Sequence, residues 1–328
     1  MESEYIAWLT AEVQRRHRHV PYANVPLGIG DDAAIIQTSS QTVCCADLLA
    51  EGTHFVLRES VDLERVGRKS LAVNLSDMAA MGARPESAML SLLVNREHGL
   101  QQAQGVTRGL LELADEFQVA LVGGDTCSWT GGLVVNVSVT GTLLQSHPLL
   151  RSGARPGDTV LVTGSLGGSI QKQHWAFTPR CHAIAQILPR FPIHSATDIS
   201  DGLVRDLGHV IDASSVGARL FAEQIPVSAA AFHLAATAND NRERRQQDCQ
   251  RLGISPALWN ALYDGEDFEL LLTMPPEPAT RLLEEVRRQS LDLGCSLTQI
   301  GEITESASGL TIIGSTGEVA LPMGGYQH

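Results

Sequence analysis

Basic residues are scarce in this chain. Lysine and arginine together number 24, against 37 aspartates and glutamates in 328 residues, which gives a formal net charge of −13. A protein that holds duplex nucleic acid or an anionic membrane surface needs a basic face. The charge balance therefore argues against both partners, although an anionic small molecule could still bind together with metal ions.

Two other absences narrow the class of protein. The six cysteines form no CxxC pair and show no zinc-ligand spacing, so we expect reduced thiols. No apolar segment approaches the roughly 20 residues that a membrane-spanning helix needs. The first residues mix apolar and charged side chains, unlike the basic flank and apolar run of a signal peptide. We therefore expect a cytoplasmic protein.

Two familiar phosphate-binding patterns are incomplete. The segment GIGDDA at 28–33 lacks the third glycine of a dinucleotide fingerprint, and GSLGGSIQK at 164–172 does not contain the GxxxxGK[ST] arrangement of a P-loop. If the chain binds ATP, metal ions and backbone N–H groups at glycine turns must hold the phosphates, in place of a P-loop lysine.

The chain does contain a series of short segments rich in glycine and aspartate, each next to an apolar run. A carboxylate at the end of a buried strand is costly unless positive charge meets it, so the series suggests a shared site for divalent cations. Such a site is typical of phosphate chemistry. The segments are GIGDDAA (28–34), ADLLAEGTHF (46–55), NLSDMAAMGA (74–83), GGDT (123–126), DISDG (198–202) and GEDFEL (265–270).

The rest of the chain alternates between patterns typical of strands and of helices. Residues 62–83 predict a long helix that ends near Gly82, and runs rich in valine and leucine predict strands. Glycine and proline cluster at 151–158, before a fresh strand, which makes this segment the best domain junction. We predict an α/β protein with an N-terminal domain over 1–148 and a C-terminal α/β domain over 149–328.

The order of these segments, with RSGARPGD at 151–158 and GGYQH at 324–328, resembles the bacterial thiamine-monophosphate kinase family over nearly the whole chain. A single GGD is a weak signal, whereas the joint order and spacing are specific. The resemblance implies a two-domain fold like that of aminoimidazole ribonucleotide (AIR) synthetase. Its N-terminal domain would be α+β and would form a homodimer, and its C-terminal domain would be a layered αβα structure.

The resemblance also implies a reaction. The γ-phosphoryl group of ATP would pass directly and in line to thiamine monophosphate, giving thiamine diphosphate and ADP, with several magnesium ions bound. The chain could instead be another small-molecule kinase or synthetase of the same superfamily, or a nucleotide-binding relative without turnover. A selenophosphate synthetase would need a reactive cysteine and a lysine near the N-terminus, and the first 27 residues contain neither.

Asp77 is the most informative of the metal ligands that the resemblance implies. It follows Asn74 by three residues within an otherwise apolar helix, and this spacing places both on one face. Whether a monovalent cation also binds is left open by the residues. The implied magnesium ligands are Asp32, Asp47, Asp77, Asp125, Asp198 and Asp201.

Further residues are implied to contact the nucleotide and take part in transfer. Arg151 could brace phosphate oxygens, with a linker salt bridge as the alternative. Ser200 would lie at a helix N-terminus, whose N–H groups suit a phosphate, with an ordinary N-cap serine as the alternative. The implied nucleotide contacts are Gly124, Asp125, Arg151 and Ser200, and the implied catalytic residues are Asp47, Asp125 and Arg151.

For thiamine monophosphate, the implied contacts are His54, Glu266 and Tyr326. An aromatic ring could pack against a flat heterocycle, and a carboxylate could hold an aminopyrimidine or a cation. The alternatives are a capped strand end for the histidine, a buried acid for the glutamate and an unconstrained chain end for the tyrosine.

The chain departs from the family pattern in two places. Cys45 and Ala46 stand where relatives commonly carry serine or threonine, just before the aspartate of the second segment. Residues 167–189 are also shorter than the matching stretch of many relatives and lack their long helical insertion. Both departures leave open an altered metal affinity or substrate pocket.

Overall fold

A computed structural model describes residues 2–17, 37, 41–57, 62–171, 173–237, 242–305, 309–315 and 317–324. The chain divides into two compact units. Unit 1 comprises Met1–Met78 and Ala83–Leu143, and unit 2 comprises Ala79–Gly82 and Leu144–His328. Asp32 and Tyr326 lie outside the described residues. Within these residues, no helix has the length and apolar character needed to cross a bilayer.

Unit 1 is built on a four-stranded sheet with the strand order β1-β4-β2-β3. Strands β2 and β3 run parallel, and the other neighbours are antiparallel. The order makes β1 and β3 the two edge strands. The elements are α1 (Glu2–His17), β1 (Thr42–Ala50), α2 (Asp62–Ala80), β2 (Ala83–Asn95), α3 (Gly99–Phe117), β3 (Ala120–Trp129) and β4 (Val134–Leu143).

One face of this sheet is apolar and buried. In β4, Val135, Val137 and Val139 are buried, whereas the intervening Asn136 and Ser138 are partly exposed. This period of two is what a strand with one buried face requires. Side chains on the buried face therefore lie in the unit's core, and those on the opposite face reach its surface.

Unit 2 is built on a seven-stranded mixed sheet with the order β11-β10-β7-β9-β5-β8-β6. Its strands are β5 (Thr159–Thr163), β6 (Ser195–Asp198), β7 (Gly217–Phe221), β8 (Leu270–Met274), β9 (Leu297–Thr304), β10 (Leu310–Gly314) and β11 (Gly317–Ala320). Its helices are α4 (Cys181–Ile187), α5 (Leu203–Ser214), α6 (Ala229–Thr237), α7 (Arg242–Leu252), α8 (Pro256–Tyr263) and α9 (Pro276–Arg287).

Helix α5 fixes the end of β6 that carries the acidic segment. Leu203, Leu207 and Val210 recur at helical spacing on one side of α5 and are fully buried in the core of unit 2. Strands β6 and β8 are antiparallel neighbours, with Asp198 opposite Leu270. Residues that follow β6 and residues that precede β8 therefore emerge at the same edge of the sheet.

The predicted α/β fold class is confirmed, as are the long helix α2 and the strands of unit 1. Strand β6 and helix α8 were not predicted. Helix α5 begins at Leu203 with Gly202 as its N-cap, so Ser200 is not the N-cap residue. The predicted domain boundary at 148/149 remains a prediction.

Candidate active site

Two of the predicted metal ligands in unit 1 meet in a partly buried position. Asp47 on β1 pairs with Val137 of β4, which is buried, so its side chain points toward the core face of the sheet. The carboxyl groups of Asp47 and Asp77 are hydrogen-bonded, which requires one of them to keep a proton and donate it. Burial raises the pKa of Asp47, and the contacts with Asp77 and His54 partly offset the rise.

Asn74, which the spacing within α2 places on the same helix face as Asp77, and Cys45 of β1 border this pair. The thiol of Cys45 lies 3.4 Å from Oδ1 of Asn74 and 3.5 Å from its carbonyl oxygen. Asn74 is fully buried and donates from Nδ2 to the carbonyl oxygen of Ser70 at 3.0 Å. Burial and the nearby carboxylates of Asp77 and Asp47 raise the pKa of the Cys45 thiol. The thiol therefore stays protonated and donates to Asn74.

His54 lies in the turn that follows β1. The backbone N–H of Ala50 donates to Nδ1 of His54 at 3.0 Å, and the N–H of His54 itself donates to the carbonyl oxygen of Ala50 at 2.9 Å. These bonds fix the imidazole near Asp47, where it lowers the pKa of that carboxyl group. The structure thus brings His54, Asp47 and Asp77 together.

Gly124 and Asp125 lie on β3, at the opposite edge of the sheet from Asp47. Three strand spacings separate the two edges, which is about 14 Å. Gly124 has a φ of 151°, and a Cβ atom there would lie 1.8 Å from the carbonyl oxygen of Leu90, so close strand packing already requires glycine. Asp125 is exposed, and its Oδ1 accepts the N–H of Thr126 at 2.8 Å. Unit 1 therefore does not bring Asp125 to the Asp47–Asp77 pair.

The two acidic segments of unit 2 are hydrogen-bonded to each other. The N–H of Glu266 donates to the carbonyl oxygen of Ser200 at 2.7 Å, and the N–H of Phe268 donates to that of Ile199 at 2.8 Å. These bonds extend the pairing of β6 with β8 beyond the strands themselves. The DISDG segment, which carries Asp198 and Asp201, and the GEDFEL segment therefore form one edge of the unit.

A group of possible metal ligands occupies this edge. The ligand atoms of Asp201, Asp206 and His209 all lie within 4.8 Å of one another. Asp201 also accepts an ion pair from Arg205 at 3.3 Å, and its N–H donates to Oδ2 of Asp206 at 3.0 Å. Burial, reinforced by the charges of Asp198 and Asp201, raises the pKa of Asp206 to about 7. Three oxygen and nitrogen donors thus share one small space.

Asp206 and His209 were not singled out from the sequence. The signal was available, because both follow the DISDG segment and lie three residues apart in α5, where that spacing places side chains on one helix face. This signal was missed because both residues also fit an ordinary helix, and only the structure shows that Asp206 is fully buried beside Asp201.

Arg151 reaches the same edge of unit 2. Its Nε donates to Oγ1 of Thr197 at 3.3 Å, and its charge lowers the pKa of Asp206. Arg151 is otherwise exposed to solvent. A guanidinium in this position neutralises part of the negative charge of the aspartates and leaves N–H groups available for an anion.

The acidic groups of both units fit magnesium. In unit 1 two hydrogen-bonded carboxyl groups lie in a partly buried site, and a divalent cation in place of the proton between them would satisfy both. In unit 2 the carboxylates of Asp201 and Asp206 offer the oxygen ligands that this hard cation prefers.

The family models and relatives agree with this architecture. The model described as AIR synthase related protein, N-terminal domain, matches residues 30–143, and the corresponding C-terminal domain model matches residues 155–313. These matches define the class, a two-domain AIR synthase related protein. A thiamine-monophosphate kinase of Rhodopirellula baltica is 36% identical over 312 residues, covering 92% of this chain and 89% of that protein. The chain belongs to the thiamine-monophosphate kinase family.

Solved structures give the same result. A thiamine-monophosphate kinase from Stenotrophomonas maltophilia K279a superposes with a TM-score of 0.76 at 31% identity, covering 93% of this chain and 95% of that one. AaThiL, complexed with AMPPCP and TMP, superposes with a TM-score of 0.70 at 25% identity, covering 96% and 95%. The resemblance stated from the sequence is thereby confirmed.

Proposed function

We propose that this protein transfers the γ-phosphoryl group of ATP to thiamine monophosphate, giving thiamine diphosphate and ADP. The observation that carries the proposal is the full-length match to thiamine-monophosphate kinases, among them AaThiL with a nucleotide analogue and TMP bound. The aspartates within the described residues, in the order typical of that family, support the same reaction.

We propose that magnesium is required and that the chain holds it through its carboxylates. Asp47 and Asp77 are the ligands in unit 1, and Asp198 and Asp201 are the ligands in unit 2. Asp32 and Asp125 remain predicted ligands, the first outside the described residues and the second at the far edge of its sheet. Magnesium, when bound, neutralises phosphate charge and aligns the two substrates.

The predicted nucleotide-binding and catalytic residues have positioning roles in this proposal. Arg151 braces phosphate oxygens, and Gly124 and Ser200 offer backbone groups to the nucleotide. Asp47 acts at the site of transfer by orienting the reacting groups, and Asp125, which lies on the opposite edge strand of unit 1, stays a predicted catalytic residue. A phosphate oxygen of thiamine monophosphate is already a competent nucleophile, so orientation and charge neutralisation can carry the reaction without a dedicated general base.

We assign the thiamine moiety to His54, Glu266 and Tyr326. The carboxylate of Glu266 suits an exocyclic amine or the cationic ring of thiamine, and the ring of Tyr326 suits stacking on a heterocycle. His54 is held close to Asp47, which supports a role near the phosphate end of the substrate.

We also propose a homodimer formed through unit 1. The face of its sheet opposite the core carries several large exposed apolar side chains, an arrangement typical of a protein interface. These are Leu48, Met89, Leu93 and Trp129, which are 37–52% exposed.

The domain boundary at 148/149 falls between the two family matches, which supports it. All six cysteines are free thiols, which supports a reducing compartment such as the cytoplasm.

Chromatography of reaction mixtures tests the function. The protein is incubated with ATP, magnesium and thiamine monophosphate, and thiamine diphosphate and ADP are measured. We expect equal amounts of both products, and no thiamine diphosphate when EDTA replaces magnesium or unphosphorylated thiamine replaces the substrate. ADP with inorganic phosphate would indicate a different superfamily reaction, and ATP binding without ADP would indicate a relative without turnover.

A further inference from the structure

The loop that precedes β8 has an unusual backbone. Glu266 and Phe268 have φ values of 65° and 50°, in the left-handed region that non-glycine residues rarely adopt. Such conformations persist only where the surroundings hold them, and they are concentrated at functional sites. Something in unit 2 must therefore impose this shape on residues 264–269.

One segment, residues 167–171 with 173–180, supplies the contacts that hold this loop, and we call it the clamp segment. Every residue of the loop except Gly265 has a partner in it. Asp264 accepts the N–H of Gly168 (3.1 Å), Glu266 contacts His174 (3.3 Å), Asp267 accepts from the N–H of Gly167 (2.9 Å) and the hydroxyl of Ser169 (2.5 Å), Phe268 stacks on Phe177 (4.4 Å between centroids), and Glu269 pairs with Arg180 (2.5 Å).

The clamp segment is itself anchored. Gly167 has a φ of 88°, and a Cβ atom there would lie 2.6 Å from the backbone nitrogen of Ala261 in α8. The hydroxyl of Ser228, just before α6, donates to the carbonyl oxygen of Gly167. The clamp segment, which begins the stretch 167–189, thus serves as an anchored support for the GEDFEL loop.

The contacts divide into two kinds. Asp267, Phe268 and Glu269 are at most 7% exposed, so their partners act on buried groups and stabilise the backbone. The side chain of Glu266 is 19% exposed, and it is the acidic side chain of the GEDFEL segment that keeps a solvent-accessible surface. Its partner, His174, therefore acts on a carboxylate that a ligand can reach.

His174 is well placed to orient that carboxylate. Its residue is 6% exposed, and its ring packs edge-on against Trp175, with 4.8 Å between centroids and an interplanar angle of 88°. Nδ1 lies 3.3 Å from Oε2 of Glu266. A ring fixed by packing holds its hydrogen-bond partner in one rotamer, which lowers the entropy that a substrate would otherwise lose on binding.

We propose that His174 is a positioning residue that orients the Glu266 carboxylate toward the amine or cationic heterocycle of the acceptor substrate. The proposal rests on the proposed function, in which Glu266 contacts thiamine monophosphate. It predicts that His174 governs recognition of the acceptor and leaves ATP binding unaffected, because the imidazole contacts Glu266, which is assigned to the acceptor.

Two variants of His174 and one matched control test this role. His174→Asn keeps an N–H donor close to the position of Nδ1, whereas His174→Phe keeps the ring without a donor. His194→Phe breaks a second half-buried histidine–carboxylate pair of unit 2, in which Nδ1 of His194 lies 2.9 Å from Asp158. Steady-state KM for each substrate, kcat and Tm are measured for all three.

We expect His174→Phe to raise KM for thiamine monophosphate about tenfold, equivalent to about 1.4 kcal/mol, with KM for ATP within about twofold of wild type. His174→Asn should recover most of the loss. His194→Phe should lower Tm while both KM values stay unchanged. Equal changes in both KM values, no change in either, or identical behaviour of the two His174 variants would overturn the proposal.

A spectrum of the ligand-free protein separates this proposal from the proposed function. In protein with ¹⁵N-labelled histidine, Glu266→Gln should shift the His174 Nδ1 resonance and leave that of His194 in place. An unchanged His174 resonance overturns the contact even if the enzyme is active. A shifted resonance in a protein that forms no thiamine diphosphate would instead show that the contact exists and the proposed function is wrong.

Discussion

The carboxyl groups of Asp47 and Asp77 are hydrogen-bonded to each other, although they come from different elements of unit 1. Two carboxylates in a partly buried site repel each other unless a proton or a cation lies between them. The packing of strand β1 against helix α2 thus lowers the stability of the metal-free protein by placing two carboxyl groups side by side. A loss of stability of this kind is expected at a site that binds a cation.

Asp77→Asn tests this relationship. The amide keeps the shape of the side chain and can donate to Asp47, but it removes one of the charges that attract magnesium. We expect kcat/KM to fall at least about a hundredfold, since even partners that only orient metal ligands contribute 10- to 100-fold. In the metal-free protein we expect Tm to rise at neutral pH, because the amide can donate to Asp47 without the proton that a pair of carboxyl groups has to bind.

The matched control is Glu64→Gln, which removes an acidic side chain from the same helix at a surface ion pair with Arg108. It should leave turnover unchanged and alter stability little, because exposed ion pairs contribute about 0–1 kcal/mol. Near wild-type turnover in Asp77→Asn would show that the carboxylate is structural.

Asp267 gives the stability of unit 2 a predictable pH dependence. Burial raises its pKa to about 8, with the hydroxyl of Ser169 and the N–H of Gly167 opposing the rise and the carboxyls of Asp264 and Glu269 adding to it. The folded state therefore keeps a proton that the unfolded state releases near pH 4. The stability that this group contributes is fully present below about pH 4 and is lost as the pH rises toward about 8.

Asp267→Asn should remove this loss. The variant should therefore become more stable relative to wild type, with a larger difference in the free energy of unfolding, as the pH rises from about 5 to about 8. Urea denaturation at several pH values in that window provides the measurement. A stability difference that stays constant across the window, or that moves in the wild type's favour, would contradict the assignment.

Arg180 and Glu269 form a largely buried ion pair. Nε and Nη2 of the arginine donate to the carboxylate at 2.6 and 2.5 Å, and the hydroxyl of Thr163 donates to it at 2.6 Å. Arg180→Met leaves the carboxylate buried without its cation, so we expect a loss of about 3–5 kcal/mol in the free energy of unfolding.

The double variant Arg180→Met/Glu269→Gln should recover part of that stability, because no uncompensated charge remains. Both variants are compared with wild type by urea denaturation. If the single variant is as stable as wild type, or the double variant is less stable than the single one, the ion pair does not have this role.

Tyr326 lies outside the described residues, and its role is predicted from the GGYQH match. If its ring covers the thiamine heterocycle, Tyr326→Ala should weaken binding of thiamine monophosphate by about tenfold, the upper end of the range for aromatic stacking. Tyr326→Phe keeps the ring and should bind nearly as wild type. Calorimetric titration of each ligand separates the outcomes, since equal losses for ATP and thiamine monophosphate would indicate general destabilisation.

The sequence singled out Asp77 because its signal is local. A charged residue within the apolar face of α2 stands out by periodicity, and its neighbour Asn74 has the expected spacing. Likewise, the run rich in valine in β4 indicated a strand without any knowledge of the fold. Patterns of this kind can be recognised from residues that are close together in the sequence.

Contacts between distant segments could not be predicted in the same way. The pairing of Glu266 with His174 joins residues 92 positions apart, and the separation of Asp125 from Asp47 depends on strand order. Neither is encoded in spacing along the chain. Strand β6 was missed because only four residues pair, and they include the polar Thr197 and Asp198.

The fate of a labelled phosphoryl group tests direct transfer from ATP to thiamine monophosphate. The protein is incubated with magnesium, thiamine monophosphate and ATP labelled at the γ-phosphate, and the label is followed by chromatography. We expect label in thiamine diphosphate in a one-to-one ratio with ADP, with none in inorganic phosphate beyond a control without protein. Label that appears in inorganic phosphate, or stays in ATP while the protein is folded, would contradict direct transfer.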